Sequence, residues 1–290
     1  MGLISRLPWW AKLGGKLALS RLPISYDAWR KLGLFRHGEM NQPGRAIRTF
    51  EAYYDRAQQY NALERGFISL ELGPGDSILS GLVARAYGAS QAYLVDAGNF
   101  AESTLQGWQQ TATLLAQQGH TPPDFDGIDA LPALQAHLKV HYLTEGTTSL
   151  ASIPGSSVNF IWSQVVLEHV PKAEFPAFLR ELRRITPENG IGVHSIDFRD
   201  HLGGGLNSLR FSEQVWEGNL FSGSGFYTNR IRPREMLSMF VEAGFDVELV
   251  RETRWPSMPI KRCDLAKQYR HLPDEDFMVA ECEIVTRPKN

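Results

Sequence analysis

The chain has 290 residues with 43% hydrophobic and 11% aromatic content, enough apolar mass for a sizeable core. A formal net charge of −2 speaks against a nucleic-acid partner, and two cysteines are too few for a disulfide framework, which favours a reduced, cytoplasmic setting. No run reaches membrane-spanning length, and no continuous apolar stretch with a small-residue cleavage site marks a secretory leader.

Charge is unevenly spread. Residues 1–40 carry seven Lys/Arg against Asp27 and Glu39, together with Leu3, Ile4, Trp9, Trp10, Leu13 and Leu17. Such a segment suits an interfacial helix at the inner face of a membrane, where anionic headgroups attract the cations and indoles sit at the boundary. It equally suits an arm folded over the rest of the chain, and Pro8, Gly14, Gly15 and Pro23, which break any long helix, favour that second reading. We therefore expect residues 1–64 to form an N-terminal helical arm or cap, and residues 65–290 the main domain. Ile47, Phe50, Tyr53, Tyr54 and Tyr60 recur at helical spacing, predicting a helix over 45–63 that could cover the mouth of a site beyond it.

That site begins at Phe67-Ile-Ser-Leu-Glu-Leu-Gly-Pro-Gly-Asp-Ser77, which reads as a buried strand, a glycine turn and a helix start. Gly73 and Gly75 open torsions closed to other residues and let a ligand reach the main chain without meeting a Cβ. Tyr93-Leu-Val-Asp96 is a second strand ending in a carboxylate, where nucleoside-binding α/β folds grip a ribose diol. A dinucleotide fingerprint would have a third glycine at Ile78, and Glu71 would set like charge near two phosphates. The rim suits a phosphate-free, cationic nucleoside, and a dehydrogenase is disfavoured.

Further along, helices are predicted over 100–118 and 128–139, with a loop at 119–127. Val140–Leu143 reads as a third strand and Asn159–Ser163 as a fourth. Phe175–Ile185 reads as a helix and Ile191–Ile196 as a fifth strand, followed by the polar cluster His194–His201. Residues 202–232 form a long aromatic-rich insertion, expected as a lid, in which Tyr227, Arg230 and Arg232 are candidate substrate contacts. A helix over 233–243 and strands over 245–250 and 277–285 close the chain.

Glu71-Leu-Gly-Pro-Gly-Asp-Ser77, Val95-Asp96 and Ser163-Gln-Val-Val-Leu-Glu-His-Val170 together resemble motifs of class I S-adenosylmethionine-dependent methyltransferases of the broad methyltransferase-11 group. The resemblance covers roughly residues 65–200. It implies an α/β fold: a Rossmann-like, seven-stranded, mostly parallel sheet with an antiparallel terminal strand and helices on both faces. It also implies S-adenosyl-L-methionine as cofactor, contacted by Glu71, Gly73, Gly75, Asp96, Ser163 and Gln164. Thr147 stands where relatives place an acid for the adenine amino group, a departure that a hydroxyl or a backbone carbonyl could meet.

An oxygen nucleophile must lose a proton during attack, and His169 and His201 are the candidate bases. Asp197, Asp200 and His201 could alternatively hold a divalent ion, although strand alternation argues against convergence of the cluster, and no metal is expected. The expected acceptor is a small molecule or glycan, a saccharide or similar polyol, free or lipid-linked. A quinone-like ring is the enzymatic alternative, and a non-catalytic nucleoside-binding scaffold the alternative of another class.

Overall fold

The computed structural model describes residues 8–19, 40–60 and 63–289. Seven strands form one sheet: β1 Ile68–Leu72, β2 Gln91–Val95, β3 Val140–Leu143, β4 Phe160–Gln164, β5 Ile191–Asp197, β6 Phe245–Arg254 and β7 Val279–Pro288. Their order is β3-β2-β1-β4-β5-β7-β6. The pairs β1–β2, β1–β4, β2–β3 and β4–β5 are parallel, and β7 runs antiparallel to both β5 and β6. This is the mixed sheet that the resemblance implied.

Parallel strands need crossovers, and the helices that supply them cover both faces. One face carries α2 Pro43–Gln58, α3 Leu79–Ala86, α4 Leu105–Gln117 and α5 Leu131–Leu138. They bury Phe50, Leu82, Trp108 and Leu134 against Phe160 and Trp162. The other face carries α6 Phe175–Ile185 and α9 Pro233–Glu242, whose Phe178, Leu179 and Phe240 pack on Leu70, Ile161 and Ile284. Local chemistry sets the helix ends. Pro43 and Pro233 occupy first-turn positions where no N–H is needed, and the Thr104 hydroxyl accepts from Gly107 N at 3.1 Å to cap α4.

Helix α2 is integral to the main core, so the described part of residues 1–64 builds no core of its own. The short α1, Trp9–Leu19, packs Trp9, Leu13 and Leu17 against Leu202, Trp216, Phe221 and Phe226. All four come from the insertion, with its small helices α7 Glu213–Trp216 and α8 Asn219–Ser222. Part of the aromatic arm is thus shared with the insertion. The membrane-contact expectation for residues 1–7 and 20–39 lies outside the described residues. Among the described residues no helix is long and apolar enough to cross a membrane. One strand expectation is corrected: Phe277 and Met278 belong to α10 Asp274–Met278, because Pro273 and three acids favour a helix start there, and β7 begins only at Val279.

Candidate functional site

The glycine turn follows β1 directly. Gly73 and Gly75 both take φ +66°, a left-handed torsion that favours glycine. A Cβ on Gly73 would lie 2.5 Å from Val166 Cγ2, so the loop after β4 presses against the turn. That loop is itself strained: Val165, a β-branched residue, sits at φ +58°, held by its N–H on Ser195 O at 2.9 Å.

Asp96 closes β2, and its Oδ2 accepts from Gly75 N at 3.1 Å while Oδ1 accepts from Ala97 N at 2.7 Å. Gly146 N donates to Asp96 O at 2.8 Å, bringing the 3-10 turn that carries Thr147 to the same edge. The Thr147 hydroxyl there donates to Glu174 at 3.2 Å. Gly73, Gly75, Asp96 and Thr147 therefore share one corner of the carboxyl edge of the sheet, where open α/β folds bind ligands.

Two cofactor expectations are modified. Glu71 is not on a rim but buried beneath the turn, accepting a hydrogen bond from the Ser80 hydroxyl. Burial, with help from nearby Asp96, pushes its carboxyl up to about 8, so it is largely protonated at neutral pH. Ser163 lies in the sheet with its Oγ 2.8 Å from His194 Nδ1, turned to the α6 face, and only Gln164 reaches the open edge. Burial lowers His194 to about 3, leaving it neutral.

His169 and His201, 32 residues apart in sequence, come together with Nε2 atoms 3.3 Å apart. His169 Nδ1 lies 2.9 Å from the Tyr227 carbonyl, which can only accept, so Nδ1 carries the proton. The shared hydrogen bond then runs from His201 Nε2–H to His169 Nε2. Burial, the neighbouring His169 and Lys16 lower His201 to about 4. Lys16 of α1 donates to His201 O at 2.8 Å.

The metal candidates do not converge. Asp197 bonds Arg199 through both carboxylate oxygens at 2.9 Å, and Asp200 accepts the backbone N–H groups of Leu202, Asn207 and Ser208. No group of three metal-ligating side chains forms among the described residues.

The substrate candidates in the insertion are corrected. Arg232 is 2% exposed and donates to the carbonyls of Phe198, Asp276 and Val279. Arg230, 4% exposed, donates to Ser208 O and Phe211 O and stacks on Trp216. Tyr227 is also buried, its hydroxyl donating to Glu217 at 2.7 Å. All three tie segments together rather than face a cleft, because the insertion packs inward around its own aromatics.

The open space lies elsewhere. A cleft of about 360 Å³ opens between α2 and the carboxyl ends of β4 and β5, lined by Arg45, Arg48, Tyr53, Gln164, Ser195 and Arg251 among others. Tyr53 OH donates to Ser195 Oγ at 2.8 Å, and burial pushes its phenol up so that it stays protonated. Sequence reasoning passed over these arginines. Their only signal was the spacing of Arg45, Arg48, Thr49 and Ala52 along one polar face of α2.

No family model matches the chain, and no curated protein matches it. Solved structures do. A SAM-dependent methyltransferase from Methanosarcina mazei aligns at 13% identity over 80% of this chain and 98% of that one, with a TM-score of 0.47. A phosphoethanolamine N-methyltransferase from Haemonchus contortus, solved with phosphomonomethylethanolamine and S-adenosylhomocysteine, aligns at 13% identity over 84% of this chain and 53% of its own, with a TM-score of 0.46. An S-adenosylmethionine-dependent methyltransferase from Mesorhizobium loti aligns at 13% identity over 82% of this chain and 97% of its own, with a TM-score of 0.41.

Proposed function

We propose that this chain transfers a methyl group from S-adenosyl-L-methionine to a polar acceptor. The observation that carries the reading is the 3.1 Å hydrogen bond from Gly75 N to Asp96 Oδ2, which joins a turn free of Cβ atoms to the carboxylate closing the neighbouring strand. The residues present fit the cofactor. Ile78, standing where a dinucleotide fold has its third glycine, suits no pyrophosphate, whereas a sugar diol has Asp96 to donate to, and backbone at Gly73 and Gly75 can be approached closely. Thr147 and the adjoining backbone are available to the adenine, and Gln164 to the amino-acid end. When bound, the cofactor supplies a methyl carbon already activated by its sulfonium.

The protein's own work is then alignment and proton removal. Holding the two reactants in line can contribute several kcal/mol, about 7–11 at the upper end, before any acid–base chemistry. His169 and His201 are the proposed base, a pair in which His201 is held neutral well below neutral pH. The polar lining of the α2 cleft favours a saccharide or other polar acceptor over a quinone-like ring. Calorimetry with S-adenosylmethionine, on the wild type and Asp96→Ala, tests the reading. No heat of binding to the wild type ends it, and binding without methyl transfer in a tritiated-methyl screen of cell extract would instead favour a non-catalytic scaffold.

A further inference from the structure

We infer that the cleft between α2 and the ends of β4 and β5 is an anion subsite, holding a phosphate or carboxylate group carried by the methyl acceptor. The inference rests on the methyl-transfer reading for its chemistry, and on the cleft alone for its charge. One wall is the polar face of α2, where Arg45, Arg48, Thr49 and Ala52 follow one another at helical spacing. The other wall is Gln164 at the end of β4, Ser195 of β5, Arg251 of β6 and Glu283 of β7.

A register shift is what brings the third cation in. Between Leu249 and Arg251 the pairing of β6 with β7 slips, leaving Val250 out and setting Arg251 opposite Glu283. Without the shift Arg251 would lie opposite Cys282, whose side chain packs in the core on the α6 face. Bulges commonly re-aim a side chain in this way beside functional sites.

Among the described residues Glu283 is the one carboxylate lining the cleft, and it is already met by Arg56 at 2.8 Å and Arg251 at 3.3 Å. Three arginines, Arg45, Arg48 and Arg251, thus stand in the described lining against that single carboxylate. The cleft's neutral groups tilt the same way: Ser195 Oγ accepts from Tyr53, leaving the serine O–H to donate, and Thr49 and Gln164 can donate too. A group made only of acceptor oxygens is the complement of such a donor-rich wall, and guanidinium forks match phosphate and carboxylate geometry.

Position ties the subsite to the reaction. Leu72, just before the glycine turn, pairs with Ser163 of β4, and Ser163 pairs with His194 of β5, next to Ser195. At about 4.8 Å per strand, the cleft wall is about 10 Å across the sheet from the turn. An acceptor of saccharide size spans that distance. The cleft volume of about 360 Å³ falls within the usual small-molecule range of about 300–1,000 Å³.

The test is calorimetric titration of the full chain with glucose 6-phosphate, glucuronate and glucose, and separately with S-adenosylmethionine. Either anionic sugar should bind at least about tenfold more tightly than glucose, and which of the two does so distinguishes phosphate from carboxylate. The double variant Arg45→Ala/Arg48→Ala, and independently Arg251→Ala, should abolish that preference while leaving S-adenosylmethionine affinity within about twofold. Circular dichroism of each variant separates loss of the subsite from loss of fold. Equal binding of glucose, no binding of either anion, or an unchanged preference in folded variants would overturn the inference. Failure of S-adenosylmethionine to bind the wild type would sink the methyl-transfer reading and leave the anion preference to stand or fall separately.

Discussion

His201 Nε2 and His169 Nε2 face each other across 3.3 Å, and with His169 Nδ1 committed to the Tyr227 carbonyl, the proton between them belongs to His201. The arrangement sets two imidazoles at the carboxyl edge, one on the segment after β4 and the other after β5. Because His201 is lowered to about 4, it stays neutral throughout the ordinary pH range. The expected kcat profile is flat above about pH 5.5, with its acid limb displaced below the usual histidine value of about 6.5. His201→Gln should lower kcat by about 10²-fold and leave S-adenosylmethionine binding unchanged. The sign for stability follows: a depressed histidine favours the neutral folded form, so its contribution is lost as pH falls from about 6.5 towards 4. Urea unfolding of wild type and variant at pH 7 and pH 4.5 checks it; equal pH dependence would refute the assignment.

Gly73 combines two constraints, its φ of +66° and the 2.5 Å approach of Val166 Cγ2 to any Cβ placed there. Gly73→Ala should therefore cost about 1–3 kcal/mol and weaken nucleoside binding. Val166→Ala in the same chain should restore only the steric part, since the torsion is untouched. Thermal unfolding of the single and double variants measures both terms, and full recovery in the double variant would show that the torsion carries no strain.

Glu71, pushed up to about 8 by burial, takes up a proton on folding between about pH 4.5 and pH 8. Wild-type stability should accordingly rise, relative to Glu71→Gln, as pH falls from 8 to 4.5, by at most about 1.4 kcal/mol per pH unit. Above pH 8 the variant should be the more stable of the two. The proposed cationic cofactor, bound over the turn above this buried carboxyl, would favour its ionised form, so affinity should climb with pH up to about 8 and then level off. Calorimetry across pH 6–9 in buffers of different ionisation heat reads that proton release directly.

What could be read beforehand divides along physical lines. The sheet was legible because buried parallel strands such as Ile68–Leu72 are short apolar runs closed by turn residues, and Gly73, Gly75 and Asp96 stand at strand ends whose order follows from chain order. Burial of polar groups was not legible. Arg230 and Arg232 looked like exposed cations beside a lid, yet the insertion folds on Trp216 and Phe221 and draws both inward to carbonyl partners. Arg251 could not be anticipated either, because a one-residue register shift decides which face it joins and no local composition encodes it. The meeting of His169 with His201 was half visible: each follows a strand at the same sheet edge, but their contact depends on the Tyr227 backbone.

Arg232 offers a test of that inward reading. Its guanidinium donates to three backbone carbonyls, joining the end of β5 to the segment entering β7. Arg232→Ala leaves those acceptors buried and unpaired, for an expected loss of about 2–4 kcal/mol. Arg232→Lys should recover only part of it, since an ammonium cannot span the fork. KM for the acceptor should not change in any folded preparation; a selective rise in KM would return Arg232 to the substrate site.

Helix α1 presents two opposite environments within one turn. Leu13 is 9% exposed against Trp216, Phe221 and Phe226, whereas Trp10 is 63% exposed. Leu13→Ala should destabilise the insertion by about 2 kcal/mol, at the low end for a buried leucine because α1 can shift to close part of the gap. Trp10→Ala should stay within about 0.5 kcal/mol. The Leu13 effect should appear locally, as faster proteolysis within residues 202–232 and a lower kcat, because the same helix holds Lys16 on the His201 carbonyl at 2.8 Å. Limited proteolysis followed by mass spectrometry resolves the cut sites. Cleavage that accelerates equally in both variants would mean that α1 does not brace the insertion through Leu13.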